Sequence, residues 1–589
     1  MNILGVSAFY HDSAAALIVD GEIIAATQEE RFSRKKFDPG FPEQSIRFCL
    51  KEAGLNLSDI DEIVYYEKPW LSFERLLECL VATAPLSLGL FLGAMPIWMR
   101  EKLNTRGTIQ KKIKNYFPQD SIPPIAFSEH RLSHAASAFF PSPFEDAAIL
   151  CLDGVGEWAT TSAWIGNGNN IESLWEIHFP HSLGLLYSAF THFCGFKVNS
   201  GEYKLMGLAP YGNPKYVDLI KEHLIDLKED GSFRLNLHYF PFSQSMKMTN
   251  KNFASLFGVP ARGMEASMQQ VYKDLAASIQ KVTEEVLLKL ARHLQKQTGK
   301  NNLCLAGGVA LNCVANGLLA REKVFENIWV QPAAGDCGGA LGAALASYHL
   351  QYGHPRTVRK TDKMKAALLG PSYSDAEILE VLERSKVAYE RLDRGALLQA
   401  AVADLKSQKV LGWFQGAMEY GPRALGNRSI LGDPRDPEMQ SRMNLKIKFR
   451  ESFRPFAPVV LADRVQDFYT DPAADPYMLF VSHVKPDYAG SFPAVTHVDG
   501  SARIQKIDDP QRMIFHLLKS FEEETGCPLL INTSFNVRGE PIVCSPFEAL
   551  RCFVQTDMDC LYLGSFRISK EQQNLNRQDV LWNVKYELD

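Results

Sequence analysis

Residues 1–26, MNILGVSAFYHDSAAALIVDGEIIAA, read as a strand, a polar turn, a second strand, a hairpin and a third strand. Ile3-Leu4-Gly5-Val6 is apolar, Tyr10-His11-Asp12-Ser13 is polar, and Ala14–Val19 is apolar again. Asp20-Gly21 tolerates the positive φ of a tight hairpin, and Glu22–Ala26 supplies the third strand. A second copy begins at Ala147–Leu152 and turns through Asp153-Gly154-Val155-Gly156. It resumes at Thr160–Ile165 and turns again at Gly166-Asn167-Gly168. Two such units predict a duplicated α/β domain, and the turn after each first strand offers backbone N–H groups to a phosphate.

The chain then predicts a long amphipathic helix from about Met264 to Lys296. Leu303–Ala306 follows as a strand, Gly307-Gly308 as a glycine turn, and a helical stretch passes through Asn312 and Asn316. A second glycine turn, Ala334-Gly335-Asp336-Cys337-Gly338-Gly339, leads into an alanine-rich helix near Ala340–Ala346. Paired turns of this kind suit a nucleotide held between two subdomains; they also suit tight packing alone. Residues 351–363 (QYGHPRTVRKTDK) read as a linker. The division is therefore 1–350, a linker at 351–363, and 364–589. The last part has short apolar runs at Val410–Phe414, Pro458–Leu461, Leu529–Ile531 and Cys560–Leu563 and reads as α+β. In it Asp375 is expected to cap a helix over Ala376–Ser385.

Across 589 residues, 63 Lys and Arg against 68 Asp and Glu give a net charge of −5. That excludes a bulk electrostatic nucleic-acid binder and leaves room for a local basic site. The 11 cysteines form no CxxC pair, which points to a reducing, cytoplasmic setting. The N-terminus lacks a basic n-region and does not read as a secretory signal. Cys79–Met99 carries no charge, but Pro85 and Pro96 interrupt it. Arg75, Glu78, Arg100, Glu101 and Lys102 flank it closely, so it reads as buried or lid-forming helices rather than a membrane span.

His130 and His134 stand four apart, a spacing that stacks two imidazoles on one helix face. They suit two ligands of one metal, or two histidines that hydrogen-bond in a pocket. Asp153 and Asp336, at strand ends, would complete a two-histidine, carboxylate set that favours iron or another first-row metal. His11, beside Asp12 and Ser13, is a candidate general base or a turn residue. Lys204, within Gly201–Gly212, would meet a phosphate or stand solvated in a loop. The densest polar run is Gly421-Pro422-Arg423-Ala424-Leu425-Gly426-Asn427-Arg428-Ser429, followed by Lys446, Lys448, Arg450 and Arg454. Arginine pairs with planar anions bidentately, so the cluster reads as an anion site, with a solvated basic face as the alternative. Arg503, Asn532, Ser534 and Asn536 would add donors. Neither GxxxxGK[ST] nor GxGxxG occurs.

With these residues in place, the sequence resembles the NodU/CmcH family of O-carbamoyltransferases over nearly its whole length. The resemblance rests on GVSAFYHDSAAALIVDGEI, on QEERFSRKK (Gln28–Lys36) and on the His130/His134 pair. It rests further on GEYKLMGLAPYG, AGGVALN, GDCGGALGAA, EYGPRALGNRSILGDPR and INTSFNVRGEPIV. It implies an actin-like, sugar-kinase-like (ASKHA) duplicated domain followed by a YrdC-like domain. It also implies two reactions: carbamoyladenylate is made from carbamoyl phosphate and ATP, then the carbamoyl group passes to a hydroxyl of a small-molecule acceptor and AMP leaves. By resemblance, Arg423, Lys448, Arg454, Arg503 and Ser534, with Asn532, hold carbamoyl phosphate and the adenylate. His130, His134, Asp153 and Asp336 hold a metal, which the ligand set above makes iron(II) first and manganese(II) or magnesium(II) next, and a further magnesium accompanies ATP. Gly307, Gly308, Asn312, Gly338, Gly339 and Lys204 cradle the nucleotide, and His11 takes the acceptor's proton. No nucleic acid or membrane partner is implied, and a homodimer is compatible. Competing readings are a small-molecule kinase of the same fold, a tRNA threonylcarbamoyl enzyme, and a nucleotide-gated scaffold. The basic C-terminal cluster argues against the first, and the net charge against the second.

Overall fold

Asn2–Ser7 (β1), Ala14–Val19 (β2) and Glu22–Gln28 (β3) form an antiparallel meander. Ala14 to Ile18 are wholly buried, so β2 is apolar throughout rather than alternating. Asp20 (φ 49°) and Gly21 (φ 79°) make the hairpin turn. On its other side β1 pairs in parallel with Glu62–Tyr65 (β4), and β4 in parallel with Ile125–Phe127 (β5). The meander recurs in Asp146–Leu152 (β6), Ala159–Asn167 (β7) and Asn170–His178 (β8). After a small hairpin of Ile225–Leu227 (β9) and Phe233–Leu235 (β10), Asn302–Ala306 (β11) and Asn327–Val330 (β12) add in parallel beside β6. The sheets run β3-β2-β1-β4-β5 and β8-β7-β6-β11-β12. The same topology occurs twice, with the same strand senses, as expected for a duplicated α/β domain. This computed structural model describes residues 1–97, 103–245, 247–448, 454–470, 474–488, 490–574 and 586.

In each copy the last strand leads into a helix: His130–Phe139 after β5 and Asp336–Ala346 after β12. These two helices touch backbone to backbone. A Cβ on Gly342 would lie 1.7 Å from the Ser133 carbonyl oxygen, and one on Gly5 would lie 1.8 Å from that of Ala340. The second glycine turn expected from sequence is shorter than read, because helix begins at Asp336 and already contains Gly338 and Gly339. Both are packing glycines. A Cβ on Gly338 would meet the Ala333 carbonyl at 2.0 Å, and one on Gly339 the Tyr66 ring at 2.7 Å. The long helix spans Gln270–Thr298 rather than starting near Met264, because Gln269 is still extended (φ −83°, ψ 159°).

Contacts divide the chain into two units: Met1–Glu29 with Phe37–Met364, and Glu30–Lys36 with Lys365–Asp589. The segment read as a linker is fastened to the first unit. Arg356 donates to the carbonyls of Phe139, Phe140, Ser142 and Phe144, and its guanidinium lies 4.2 Å from the Phe139 ring centroid. Beside it, His349 is 2% exposed and donates from Nδ1 to the His354 carbonyl at 3.0 Å. Burial lowers the His349 pKa to about 4; the His354 carbonyl opposes this, and Lys363 and Arg356 reinforce it. The unfolded chain binds this proton near pH 6.5 and the native chain only near pH 4, so the native state loses stability as pH falls through that window. The full loss is at most about 3 kcal/mol. His349→Asn is expected to flatten the acid side of the stability profile, and urea titrations at pH 7.5 and 5 check it; an unchanged difference between the two would refute the assignment.

Cys79–Met99 contributes to two helices, Pro69–Ala82 and Leu88–Ile97. Val81, Leu88 and Leu92 on these helices and Leu86 between them are exposed, which argues against the buried alternative at these positions and leaves the lid-forming one. No helix of the described residues is long and apolar enough to cross a membrane. Trp98, Met99 and the flanking Arg100, Glu101 and Lys102 lie outside the described residues.

The second unit is built on an eight-stranded sheet. Its strands in chain order are Glu390–Arg391 (β13), Leu411–Phe414 (β14), Arg428–Gly432 (β15) and Ala457–Leu461 (β16). A separate pair, Val481–His483 (β17) with Ser501–Arg503 (β18), comes next. Gln505–Ile507 (β19), Leu529–Ser534 (β20), Cys560–Leu563 (β21) and Phe566–Ser569 (β22) complete the sheet. The sheet order is β13-β22-β21-β14-β15-β20-β16-β19. Its core includes Trp413, Ile430, Leu431, Leu530, Phe553 and Tyr562. Ser374, not Asp375, caps the helix Asp375–Ser385. Its hydroxyl accepts from the Glu377 N–H, and the Glu377 carboxylate accepts from the Ser374 N–H, a reciprocal box that Asp375 cannot form.

Candidate metal centre and anion site

The duplication assembles the first site. His11 follows β1 and Asp153 follows β6, the equivalent strand of the second copy. His130 and His134 sit on the helix after β5, and Asp336 opens the equivalent helix after β12. Asp336 is therefore at a helix N-terminus rather than at a strand end. The carboxyl ends of parallel strands are where α/β sheets place ligands. The close approach of the two helices through Gly342 is what brings these groups together.

The His130 and His134 Nε2 atoms are 3.1 Å apart. Asp153 Oδ2 lies 3.0 Å from His130 Nε2 and 3.4 Å from His134 Nε2. Asp336 Oδ1 lies 3.9 and 3.7 Å from the same two nitrogens. One donor atom from each of the four residues falls within 4.8 Å of all the others. Burial disfavours charge on every member, yet the electrostatics run the other way. Hydrogen bonds from both histidines hold the Asp153 carboxyl well below its usual range. Asp153 and Asp336 outweigh burial and raise His134 to about 10. Two carboxylates thus draw positive charge to the point where two imidazole nitrogens converge, a donor set that fits a first-row divalent metal.

His11 Nε2 lies 3.6 Å from Asp336 Oδ2, and its Nδ1 is 3.3 Å from Asp12 Oδ2. Burial works against its protonation, and Asp336 and Asp12 outweigh burial and raise it to about 9. Phe9 (φ 71°) and Asp12 (φ 52°) hold the loop in the left-handed region, which non-glycine residues rarely adopt. Gly307 (φ 84°) and Gly308 pass beside Asp153. A Cβ on Gly307 would strike the Leu152 carbonyl at 2.2 Å, and the Gly308 N–H donates to Asp153 Oδ1 at 3.3 Å.

The other residues assigned to the nucleotide are placed differently. Asn312 caps the helix Cys313–Arg321 and makes a reciprocal amide pair with Gln280. Lys204 is on the helix Glu202–Leu208 and 1% exposed, which overturns the solvated-loop reading. Sequence reasoning missed the role of Gly156. A Cβ there would sit 2.6 Å from the His130 ring, and its carbonyl accepts from Arg75 Nη1 at 2.5 Å. The glycine in the turn after β6 was the available signal.

The second site gathers on β20. Lys448 is 4% exposed, and its Nζ donates to the Ser534 carbonyl (2.7 Å), the Asn536 carbonyl (2.7 Å) and Asn536 Oδ1 (2.6 Å). Ser534 Oγ donates to Asn536 Oδ1 at 2.7 Å. Asn532 Nδ2 donates to Gln505 Oε1 (2.7 Å) and to the carbonyl of Ala424 (3.3 Å), the neighbour of Arg423. Arg503 ends β18 just before Gln505, and its Nε is buried with no hydrogen-bond partner among the described residues. Ala457, three residues after Arg454, is in register with Asn532. Glu419 shapes the glycine-proline loop by accepting the N–H groups of Leu425, Asn427 and Arg428. Arg428 itself is structural, fully buried, bonded to the Gln415 and Pro371 carbonyls and 3.6 Å from the Phe414 ring centroid. It leaves the expected cation cluster for that reason. Arg450 lies outside the described residues.

Known proteins match both halves. Residues 2–345 match the carbamoyltransferase N-terminus family, and residues 402–570 the carbamoyltransferase C-terminus family. An uncharacterized protein of Synechocystis sp. is 54% identical, with all of both chains covered. Nodulation protein NolNO of Sinorhizobium fredii is 38% identical over 95% of this chain and 79% of its own. Nodulation protein U of Rhizobium tropici is 30% identical over 92% of this chain and 91% of its own. With both family segments present in order and relatives matched over most of their length, the chain belongs to the carbamoyltransferase family and is a carbamoyltransferase.

Proposed function

We propose that the protein is an ATP-dependent O-carbamoyltransferase that works through carbamoyladenylate, and that its second unit is the YrdC-like, adenylate-forming half. The observation that carries this reading is the convergence on one strand, β20, of Lys448, Asn532 and Ser534 with the segments that bear Arg423, Arg454 and Arg503. A dianion beside a triphosphate needs several cations, and an actin-like kinase site alone needs no second one. Carbamoyl phosphate and water give carbamate and inorganic phosphate, then carbamate oxygen attacks the α-phosphorus of ATP and pyrophosphate leaves. An acceptor hydroxyl then attacks the carbamoyl carbon and AMP leaves.

In the first unit His130, His134, Asp153 and Asp336 would hold the metal, which supplies Lewis-acid stabilisation to phosphate oxygens when bound. His11 would take the acceptor hydroxyl's proton once a cation held by Asp336 offsets the carboxylate that otherwise keeps the imidazole protonated. Gly307 and Gly308 would let a phosphate approach the backbone beside Asp153, with Lys204, Asn312, Gly338 and Gly339 supporting the loops around it. The acceptor is proposed to be a small natural-product or sugar alcohol. The test is acceptor-free ATP–pyrophosphate exchange with purified, metal-loaded protein and magnesium. Exchange should depend on carbamoyl phosphate and vanish in Arg423→Ala. ADP formation, or exchange indifferent to carbamoyl phosphate, would move the assignment to a kinase or plain ATPase.

A further inference from the structure

The motif Gln28–Lys36 supplies none of the residues assigned to either site. Its Glu30–Lys36 segment groups with the second unit although it stands near the start of the chain. Arg31 and Arg34 are nearly buried there, with side chains 3% and 14% exposed. Burying two guanidinium groups is costly unless their donors are used. Arg31 Nη2 donates to the Gly421 carbonyl at 2.7 Å, two residues from Arg423. Arg34 donates to the carbonyls of Ile542 (2.9 Å) and Pro541 (2.7 Å) and to Glu540 Oε1 (3.2 Å).

Glu540 carries the connection onward. It is fully buried, and its carbonyl accepts from Asn536 Nδ2 at 2.6 Å. Its Oε2 accepts the Val537 N–H at 3.0 Å. Asn536 Oδ1 in turn accepts from Lys448 Nζ and Ser534 Oγ. An unbroken polar chain therefore runs from Arg34 through Glu540 and Asn536 to Lys448 and Ser534. A second runs from Arg31 through Gly421 to the loop of Arg423. Phe32, between the two arginines, packs on the small apolar cluster of Met418, Ala424, Ile542 and Cys544.

We infer that Arg31 and Arg34 are positioning residues of the activation half-reaction. Lent to the second unit from the N-terminal end of the chain, they set the loop that bears Arg423 and the segment after β20 that seats the Lys448 ammonium. This rests on the anion-site reading above and deepens it. Neither arginine is placed on substrate: Arg34 fixes its loop by a fork of donors that lysine cannot reproduce, and Arg31 holds Gly421 through Nη2 while its Nη1 pairs with Glu30.

The experiment is a kinetic and binding series on the full chain with Arg34→Lys and Arg34→Ala. For both, the KM for carbamoyl phosphate in ATP–pyrophosphate exchange is expected to rise at least about tenfold with a smaller change in kcat, one lost charge-assisted contact's worth. Ethylguanidinium is expected to restore Arg34→Ala in part. Titration with inorganic phosphate, followed calorimetrically, should weaken in parallel. If wild-type protein shows no exchange, the proposed reaction fails while the phosphate titration still tests the positioning role. Wild-type KM and phosphate affinity in folded variants would overturn the inference. So would losses that only track the folded fraction, or failure of both variants to fold, since each marks a purely structural role.

Discussion

Under the proposed mechanism, Asp153→Asn is expected to remove the metal proposed for the first unit and to cut carbamoyl transfer sharply without ending ATP–pyrophosphate exchange. Asp153 is the member of the cluster closest to both histidines, at 3.0 and 3.4 Å. An amide there keeps the shape and removes the charge that draws a cation between His130 and His134. Loss of an outer-shell partner already costs metal sites about 10- to 100-fold in affinity, so loss of a charged ligand should exceed that. Several kcal/mol of charge stabilisation go with the metal, which corresponds to a fall on the order of 10³-fold in acceptor-dependent AMP release. Elemental analysis after gel filtration reads the first effect. A full equivalent of tightly held metal in Asp153→Asn would refute the metal centre. Loss of exchange together with metal would show that the two half-reactions do not divide between the two units.

Much of the first unit was legible because its signals are local. Ala14–Val19 declares its own burial, Asp20-Gly21 its own turn, and the second meander repeats the pattern. The four-residue spacing of His130 and His134 likewise reports a shared helix face. What was not legible depends on contacts between distant segments. Nothing around Gly338 says that Ala333 and Tyr66 fill the space beside the glycines, so they read as a loop when they are helix. Arg428 resembles its neighbour Arg423 in sequence, and only the Phe414 ring and the Pro371 carbonyl make it structural. Lys204 read as a loop cation because its burial is decided by other segments of the first unit. The role of Arg31 and Arg34 was the least accessible, because their partners Gly421 and Glu540 lie 390 and 506 residues away.

Lys448→Met is expected to be the mirror image of the Asp153 variant: full metal content and no activation. The side chain is buried, and its ammonium ties the Ser534 and Asn536 carbonyls and the Asn536 side chain into one arrangement. Methionine fills much the same volume, so the substitution removes charge and donors more than packing. A charge-assisted hydrogen bond contributes about 1.5–3 kcal/mol, and the variant loses both the loop contacts and the cation that would face the bound phosphate. Carbamoyl-phosphate-dependent exchange should therefore fall by about 10²- to 10³-fold, in the range seen when a single preorganised donor is removed from a charged transition state. Lys448→Arg is expected to recover little. A planar fork is wider than the three-oxygen seat that holds the ammonium at 2.6–2.7 Å, so the charge returns without the geometry. Exchange kinetics over a carbamoyl phosphate series measure both variants. Wild-type exchange in Lys448→Met would place the activation chemistry elsewhere in the chain, because no other described cation is bonded to both Ser534 and Asn536.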